Sequence, residues 1–250
     1  MRRRAFLAGA AAVLAPSAKA ELLKDAQAVA GDRFLVGEEE YHLADIKAPS
    51  PYALQTQAQP YFEEARRSLA RLLLRSSVTV SDAAAPTRWG ARVVRAARVG
   101  EAQSLQHQLV KMGAARVAPQ TDDLVFIDEL LALESEARGA RKGLWSSPSY
   151  QIFNAEKAEG SVDGYHLIEG EVARAGRAKS RFYLNFGEDI EEDFTASARS
   201  GLARRWAAKG LDLASLKGAR LRIRGFVDDI NGPSVDLTHM RQIEILGGAE

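Results

Sequence analysis

The stretch from Val29 to Ser50 constrains this chain most. Val29-Ala30-Gly31-Asp32-Arg33 reads as a tight loop entering a strand, with a turn at Gly37. Tyr41-His42-Leu43-Ala44-Asp45-Ile46-Lys47-Ala48-Pro49-Ser50 reads as the return strand, stopped at Pro49-Ser50-Pro51. Phe34, Val36, Leu43 and Ile46 lie among polar residues, the pattern of a hairpin that buries one side. Asp32, His42, Asp45 and Lys47 collect at its ends, where a site is expected.

After the hairpin the chain alternates helices and strands. Gln55 to Leu74 predicts a helix with Ala58, Phe62, Ala65, Leu69, Leu72 and Leu73 on one face; Glu63 and Glu64 share the other with Arg66, Arg67 and Arg71, so that face reads as solvated. Strands are expected at Val78–Val80 and Arg92–Val99, separated by a turn at Ala85–Gly90. A second helix, Ala102 to Met112, is ended by Gly113. A third, Asp122 to Arg141, carries acidic residues at its start and Arg138, Arg141 and Lys142 at its end, as the helix dipole favours. Ser146-Ser147-Pro148-Ser149 reads as a linker. Beyond it the texture changes to short strands at 166–173, 180–186, 193–198, 220–227, 234–237 and 241–246, with one helix at Ser200–Lys209. The fold class expected is therefore mainly β with helices (α+β), with the second half a small OB-like barrel.

The first 20 residues read as an export signal: Met1-Arg2-Arg3-Arg4-Ala5-Phe6-Leu7, an apolar run from Ala8 to Ala15 too short for a permanent span, and small residues up to a cleavage point after Ala20. Arg2-Arg3-Arg4 resembles a twin-arginine signal, and an ordinary secretory signal is the other reading. Either implies a periplasmic or secreted protein with no transmembrane span after cleavage. Of the 34 basic residues, Arg2, Arg3, Arg4 and Lys19 would be removed, leaving 30 against 33 acidic ones, a net charge of −3. Net charge thus gives no support to strong non-specific binding of nucleic acid. The absence of cysteine excludes disulfides and thiolate metal sites, and His42, His107, His166 and His239 show no ligand spacing.

The order of hairpin, helix, strand, Trp-Gly strand and two helices resembles the staphylococcal nuclease (thermonuclease) family over roughly residues 25 to 147. The resemblance is carried by Gly31-Asp32, Leu43-Ala44-Asp45-Ile46-Lys47-Ala48-Pro49, Trp89-Gly90, Leu109-Val110, Gly113–Val117, Glu134-Ser135-Glu136-Ala137-Arg138 and Gly143-Leu144-Trp145. It implies a five-stranded OB barrel with three helices, so the domains expected are a signal at 1–20, a thermonuclease-like domain at 21–147 and a second barrel at 148–250.

The family's active site transfers poorly. Its pattern Asp-Gly-Asp-Thr places a calcium ligand on Asp32, the position retained. Its pattern Arg-Leu-x-Gly-Ile-Asp-Ala-Pro-Glu places the phosphate-binding arginine on His42, a second calcium ligand on Lys47 and the general base on Ser50. A further arginine, in Tyr-Gly-Arg, falls on Ala91. Hydrolysis of a phosphodiester by water with a hard cation needs carboxylate ligands, a base and cationic donors. Lys47 instead brings an ammonium, and is expected to pair with Asp32 as a clamp in place of the ion. Asp45 reads as a solvated loop carboxylate. Arg92 points to the face opposite Ala91, Arg88, Arg95 and Arg98 read as solvated charges, and Trp89 and Trp145 as core or lid aromatics.

In the second half, Arg220, Arg222 and Arg224 alternate along one strand, and Tyr183 is a candidate stacking residue beside them, an arrangement that would suit single-stranded nucleic acid. The expectation is an exported thermonuclease-like pseudoenzyme acting as a binding or scaffolding module for nucleic acid or an envelope protein, with no cofactor. The alternatives are a metal-dependent (Ca2+) phosphodiesterase rebuilt around Asp32, His42 and Asp45, and an envelope protein binding peptide or glycan on one barrel.

Overall fold

A computed structural model describes residues 20–51, 58–189 and 192–248. The export signal expected at 1–20 lies almost wholly outside them, as does the start of the helix expected from Gln55. Among the described residues no helix is long and apolar enough to cross a membrane. The structure is a mixture of helices and sheets.

The first half opens with β1 (Glu21–Leu23), β2 (Gln27–Ala28), β3 (Arg33–Val36), β4 (Glu39–Leu43) and β5 (Ile46–Lys47). Then come α1 (Phe62–Leu73), β6 (Val78–Ala84), β7 (Arg92–Arg98), α2 (Leu105–Lys111), β8 (Arg116–Val117) and α3 (Leu124–Gly139). Six strands form one sheet in the order β1-β6-β7-β4-β3-β2, and β5 pairs with β8. The hairpin β3–β4 turns at Gly37, whose φ of +60° suits a residue without Cβ. Phe34, Leu43 and Ile46 enter the core, Phe34 stacking on Tyr41 at 5.1 Å between ring centroids. Gly31 lets the loop pass within 2.7 Å, measured from an ideal Cβ, of the methyl groups of both Ala48 and Ala65. A side chain there would push the hairpin away from α1.

The helices are anchored as their sequences suggest. Asp123 caps α3, its carboxylate accepting from the Phe126 N–H at 3.1 Å. α2 ends at Lys111 and the chain turns at Gly113, where a Cβ would lie 2.2 Å from the Lys142 carbonyl, so glycine is needed for the chain after α2 to meet that after α3.

The second half comprises β9 (Phe153–Asn154), β10 (Gly164–Glu171), β11 (Arg174–Ala178), β12 (Arg181–Asn185), β13 (Thr195–Arg199), α4 (Ser200–Ala207), β14 (Arg220–Asp229), β15 (Pro233–Leu237) and β16 (Ile243–Gly247). They make one sheet, β11-β12-β13-β15-β14-β10-β9, with β16 paired to β14. The edge strand β11 was not expected: Arg174-Ala175-Gly176-Arg177-Ala178 buries nothing fully and so lacks the alternation that marks a half-buried strand. A separate core gathers Ile168, Leu184, Phe194, Leu221, Ile223 and Leu237.

The two halves are packed together by an apolar cluster of Ala137, Leu144, Trp145, Tyr150 and Leu167 as well as by polar groups. His166 of β10 lies edge-on to Phe153 at 4.9 Å, with its Nδ1 buried and without a hydrogen-bond partner. Burial, reinforced by Arg116, pulls its pKa from 6.5 down to about 4. The unfolded chain thus takes up this proton near pH 6.5, whereas the folded chain resists until about 4. Stability contributed by the neutral ring is full above 6.5 and is lost as pH falls toward 4. Replacing His166 with Phe is expected to flatten the fall in urea midpoint between those pH values; an unchanged slope would remove His166 as its source.

Candidate functional site

The hairpin ends form a small cavity of about 220 Å³ lined by Asp32, Arg33, His42, Lys47, Thr87 and Gln120 among others. β3 and β4 place Arg33 directly opposite His42, and the short strand β5 brings in Lys47 opposite Arg116 of β8. Among the expected site residues, Asp32, His42 and Lys47 thus come together.

Their bonding differs from expectation in one respect. Asp32 does not form a close ion pair with Lys47; its carboxylate accepts from the Ala48 N–H at 3.0 Å and lies 3.7 Å from Arg33 Nε. The hairpin clamp is therefore the Asp32 carboxylate on the Ala48 backbone, not on Lys47. Asp32 still acts on Lys47 through space: burial lowers the ammonium's pKa, Arg116 and Arg33 add to that, and the Asp32 charge opposes it. His42 Nε2 is 3.1 Å from Glu40 Oε1, a pairing at the cavity's outer edge.

The remaining positions carry no such chemistry. Ala91 is buried, its N–H donating to Thr87 Oγ1 at 3.1 Å. Arg92 turns away, as strand alternation requires, and binds Glu21 at 2.7 Å and Asp82 at 2.9 Å while lying over Tyr41. Ser50 is bridged to Gln59, its N–H donating to Gln59 Oε1 and its carbonyl accepting from the Gln59 N–H, both at 2.9 Å.

Asp45 is the largest departure. It is fully buried, not solvated. Its Oδ1 accepts from the N–H groups of Gln120 and Thr121, both at 2.8 Å, and its Oδ2 accepts from Thr121 Oγ1 at 2.7 Å. The residue has φ +62°, at the position where the family pattern has glycine. The carboxylate stabilises this backbone by tying it to the segment that enters α3, with three of its roughly four lone-pair sites taken. The donor set does not suit calcium, which takes six to eight oxygen ligands: Asp32 is held by a peptide N–H and a guanidinium, Asp45 is consumed, and Lys47 projects a cation into the same cavity.

The aromatics divide. Trp145 is buried as expected, whereas Trp89 is 81% exposed at the β6–β7 turn with Arg88 stacked over it at 4.4 Å. Arg95 is not simply solvated: it pairs with Asp123 at 2.7 Å and covers Phe126, and Arg98 pairs with Glu101 at 2.6 Å.

The arginine row of the second half runs from exposed to buried, and its inner end, Arg224, meets the first half. Arg224 is fully buried, with Nη2 2.8 Å from Glu134 Oε2, Nη1 donating to the Val117 carbonyl at 3.0 Å, and a close pair with Glu244. Burial alone would lower the pKa of its guanidinium, but Glu134 and Glu244 more than offset this and raise it. Arg222 joins Glu169 at 2.6 Å and Glu244 at 2.9 Å. Arg220 is the outermost, 3.4 Å from Glu169. Arg222 and Arg224 are therefore unavailable to a polyanion, and Tyr183 lies in a different cleft from them. Arg116, missed by sequence reasoning, is buried between Tyr150 and Tyr165 and donates to the Tyr165 carbonyl. Burial pushes the Tyr165 phenol up to about 12, and it donates to the Val117 carbonyl at 2.8 Å. Glu134 and Arg138 were legible as part of the family resemblance, yet no signal in the letters paired Glu134 with Arg224.

Lys47 also borders a second cavity, of about 330 Å³, between the halves, with Tyr165, Phe226, Asp228 and Asp236. When the chain is compared with known families, the model described as staphylococcal nuclease homologue matches residues 40–147. No curated protein matches the chain.

Proposed function

The chain carries a staphylococcal nuclease-family domain over residues 40–147, and from that premise we propose that it is a non-hydrolytic member, exported through its first 20 residues and working as a binding module. The observation that supports this is the cavity at the hairpin ends: Lys47 and Arg33 place positive charge around Asp32, where cation-assisted hydrolysis needs a cluster of carboxylates. Asp45, the nearby carboxylate that could have rebuilt the site, serves the backbone instead. The sheet of the second half, which we read as an OB-like barrel, is held to α3 by Arg224 and Glu134 and gives the module a fixed second surface.

The test is cleavage of single-stranded DNA by the mature protein with and without calcium, beside a Lys47→Asp/Ser50→Glu/Ala91→Arg variant. The wild type is expected to show no calcium-dependent cleavage and no calcium heat in calorimetry. Restoring the family groups is expected to raise cleavage by at least about tenfold over wild type, roughly 1.4 kcal/mol of barrier. Calcium-dependent cleavage by the wild type, abolished in Asp32→Ala, would falsify the non-hydrolytic reading.

A further inference from the structure

Among the described residues, a large cleft with Tyr183 in its floor lies on the outer face of the second sheet, sharing Asp228 and Asp236 with the smaller cavity that Lys47 borders. It has a volume of about 800 Å³, within the usual range for ligand pockets of about 300–1,000 Å³. Strand register explains its lining. Gly176, Tyr183, Ser197 and Asp236 stand directly opposite one another across four strands. Two residues along, Asn185, Thr195, Ser234 and Asp228 form a second row. Alternation sends the intervening Leu184 and Ala196 into the core, and the face left outside carries hydroxyls, amides, carboxylates, arginines and one ring, with Ala175, Ile230 and the edge of Val235 adding apolar surface. Beside that ring is Gly176, and nothing lies within 4 Å of the place its Cβ would occupy. The strand therefore leaves open space next to Tyr183.

Charge decides the class of ligand. Arg181 is neutralised by Asp236 and oriented by Ser197, its Nε donating to Ser197 Oγ at 3.2 Å. Arg174 is paired with Glu188. Once Glu188, just outside the lining, is counted with Arg174, what remains is Arg177 against Asp228, so a phosphate chain would find one unpaired guanidinium and little counterion release. The carboxylates, amides and hydroxyls match a ligand rich in O–H groups, and the half-buried Tyr183 ring with the apolar residues beside it matches the apolar faces of pyranose rings. We propose that this cleft binds a neutral oligosaccharide, stacked on Tyr183 and hydrogen-bonded by Asn185, Asp228 and the Arg181–Asp236 pair. The inference rests on the second half alone and holds whether or not the nuclease cavity is active.

The experiment is calorimetric titration of the full mature protein with maltohexaose, cellohexaose and chitohexaose, with an eight-residue oligothymidylate and an unstructured peptide as comparisons. At least one hexaose is expected to bind with little dependence on salt. Tyr183→Ala and Asp228→Ala are each expected to weaken it by about tenfold or more, and Tyr183→Phe to retain it. Gly176→Val fills the open space beside the ring on an exposed edge strand, and is expected to abolish binding while leaving the thermal midpoint unchanged, which keeps the test valid if Tyr183→Ala does not fold. Failure of all three sugars to bind overturns the proposal. So does binding of the oligothymidylate or peptide alone, with loss in the same variants, because the cleft would then serve another polymer.

Discussion

Arg224→Ala is expected to destabilise the protein by about 3–5 kcal/mol, the usual cost of removing one partner from a buried ion pair. Glu134, also fully buried, would lose its charge partner while still accepting from the Val117 N–H at 2.7 Å. Glu244 would lose its close contact, and the Val117 carbonyl one donor. Arg138, 3.5 Å from Glu134, is too distant and too shielded to compensate fully. Because these groups join α3 and β8 to β14 and β16, the loss is expected to appear in both halves at once, as a lowered urea midpoint by far-ultraviolet dichroism and by Trp206 and Trp145 fluorescence together. A combined Arg224→Met/Glu134→Leu/Glu244→Leu variant is expected to recover most of the loss, since an apolar replacement avoids desolvating three charges. A change below about 1 kcal/mol in Arg224→Ala would place the pair among weakly coupled surface bridges.

Asp45→Ala is expected to cost about 3–4 kcal/mol. Three hydrogen bonds to a buried carboxylate are removed, each such bond to a charged group being worth roughly 1.5–3 kcal/mol, with partial recovery by rearrangement. Alanine must also hold φ +62° without a side chain that hydrogen-bonds locally. Asp45→Gly relieves the backbone but leaves the Gln120 and Thr121 N–H groups unpaired, so its loss is expected to be smaller than that of alanine by about 1 kcal/mol. Asp45→Asn, which can keep acceptors toward two donors while turning its amide toward the third, should fall between wild type and alanine. Thermal and urea unfolding of the three variants give the order directly. Equal stability of Asp45→Ala and wild type would mean that the carboxylate is solvated in solution.

Both effects concern residues whose roles were not visible in the letters. Asp45 stood among hairpin residues expected at a site, and reading it as solvated followed from its polar type and loop position. Its donors, Gln120 and Thr121, are 75 and 76 residues away. Arg224 sat in an alternating row that matched a basic binding strand, but alternation only says that three side chains share a face. It does not say what covers that face, and at Arg224 it is α3 and β8. The Trp89 expectation failed similarly: a large apolar ring beside a turn glycine is ordinarily buried, yet the β6–β7 turn projects beyond the sheet.

Local pattern did fix much of the first half. The turn at Gly37, the buried positions Phe34, Leu43 and Ile46, the Asp123 cap and the Gly113 stop arise from alternation, helical period and backbone freedom, all readable within a few residues. The altered positions His42, Lys47, Ser50 and Ala91 were also readable, because chemical type is a property of the letter. Tertiary structure alone decided which groups meet: Asp32 with the Ala48 N–H and not Lys47, Arg224 with Glu134 across 90 residues, and Tyr183 beside Gly176 and away from the arginine row. Secondary structure is set by short-range sterics and periodicity, whereas the partner of a charge depends on which surfaces pack, and packing is determined by the whole chain.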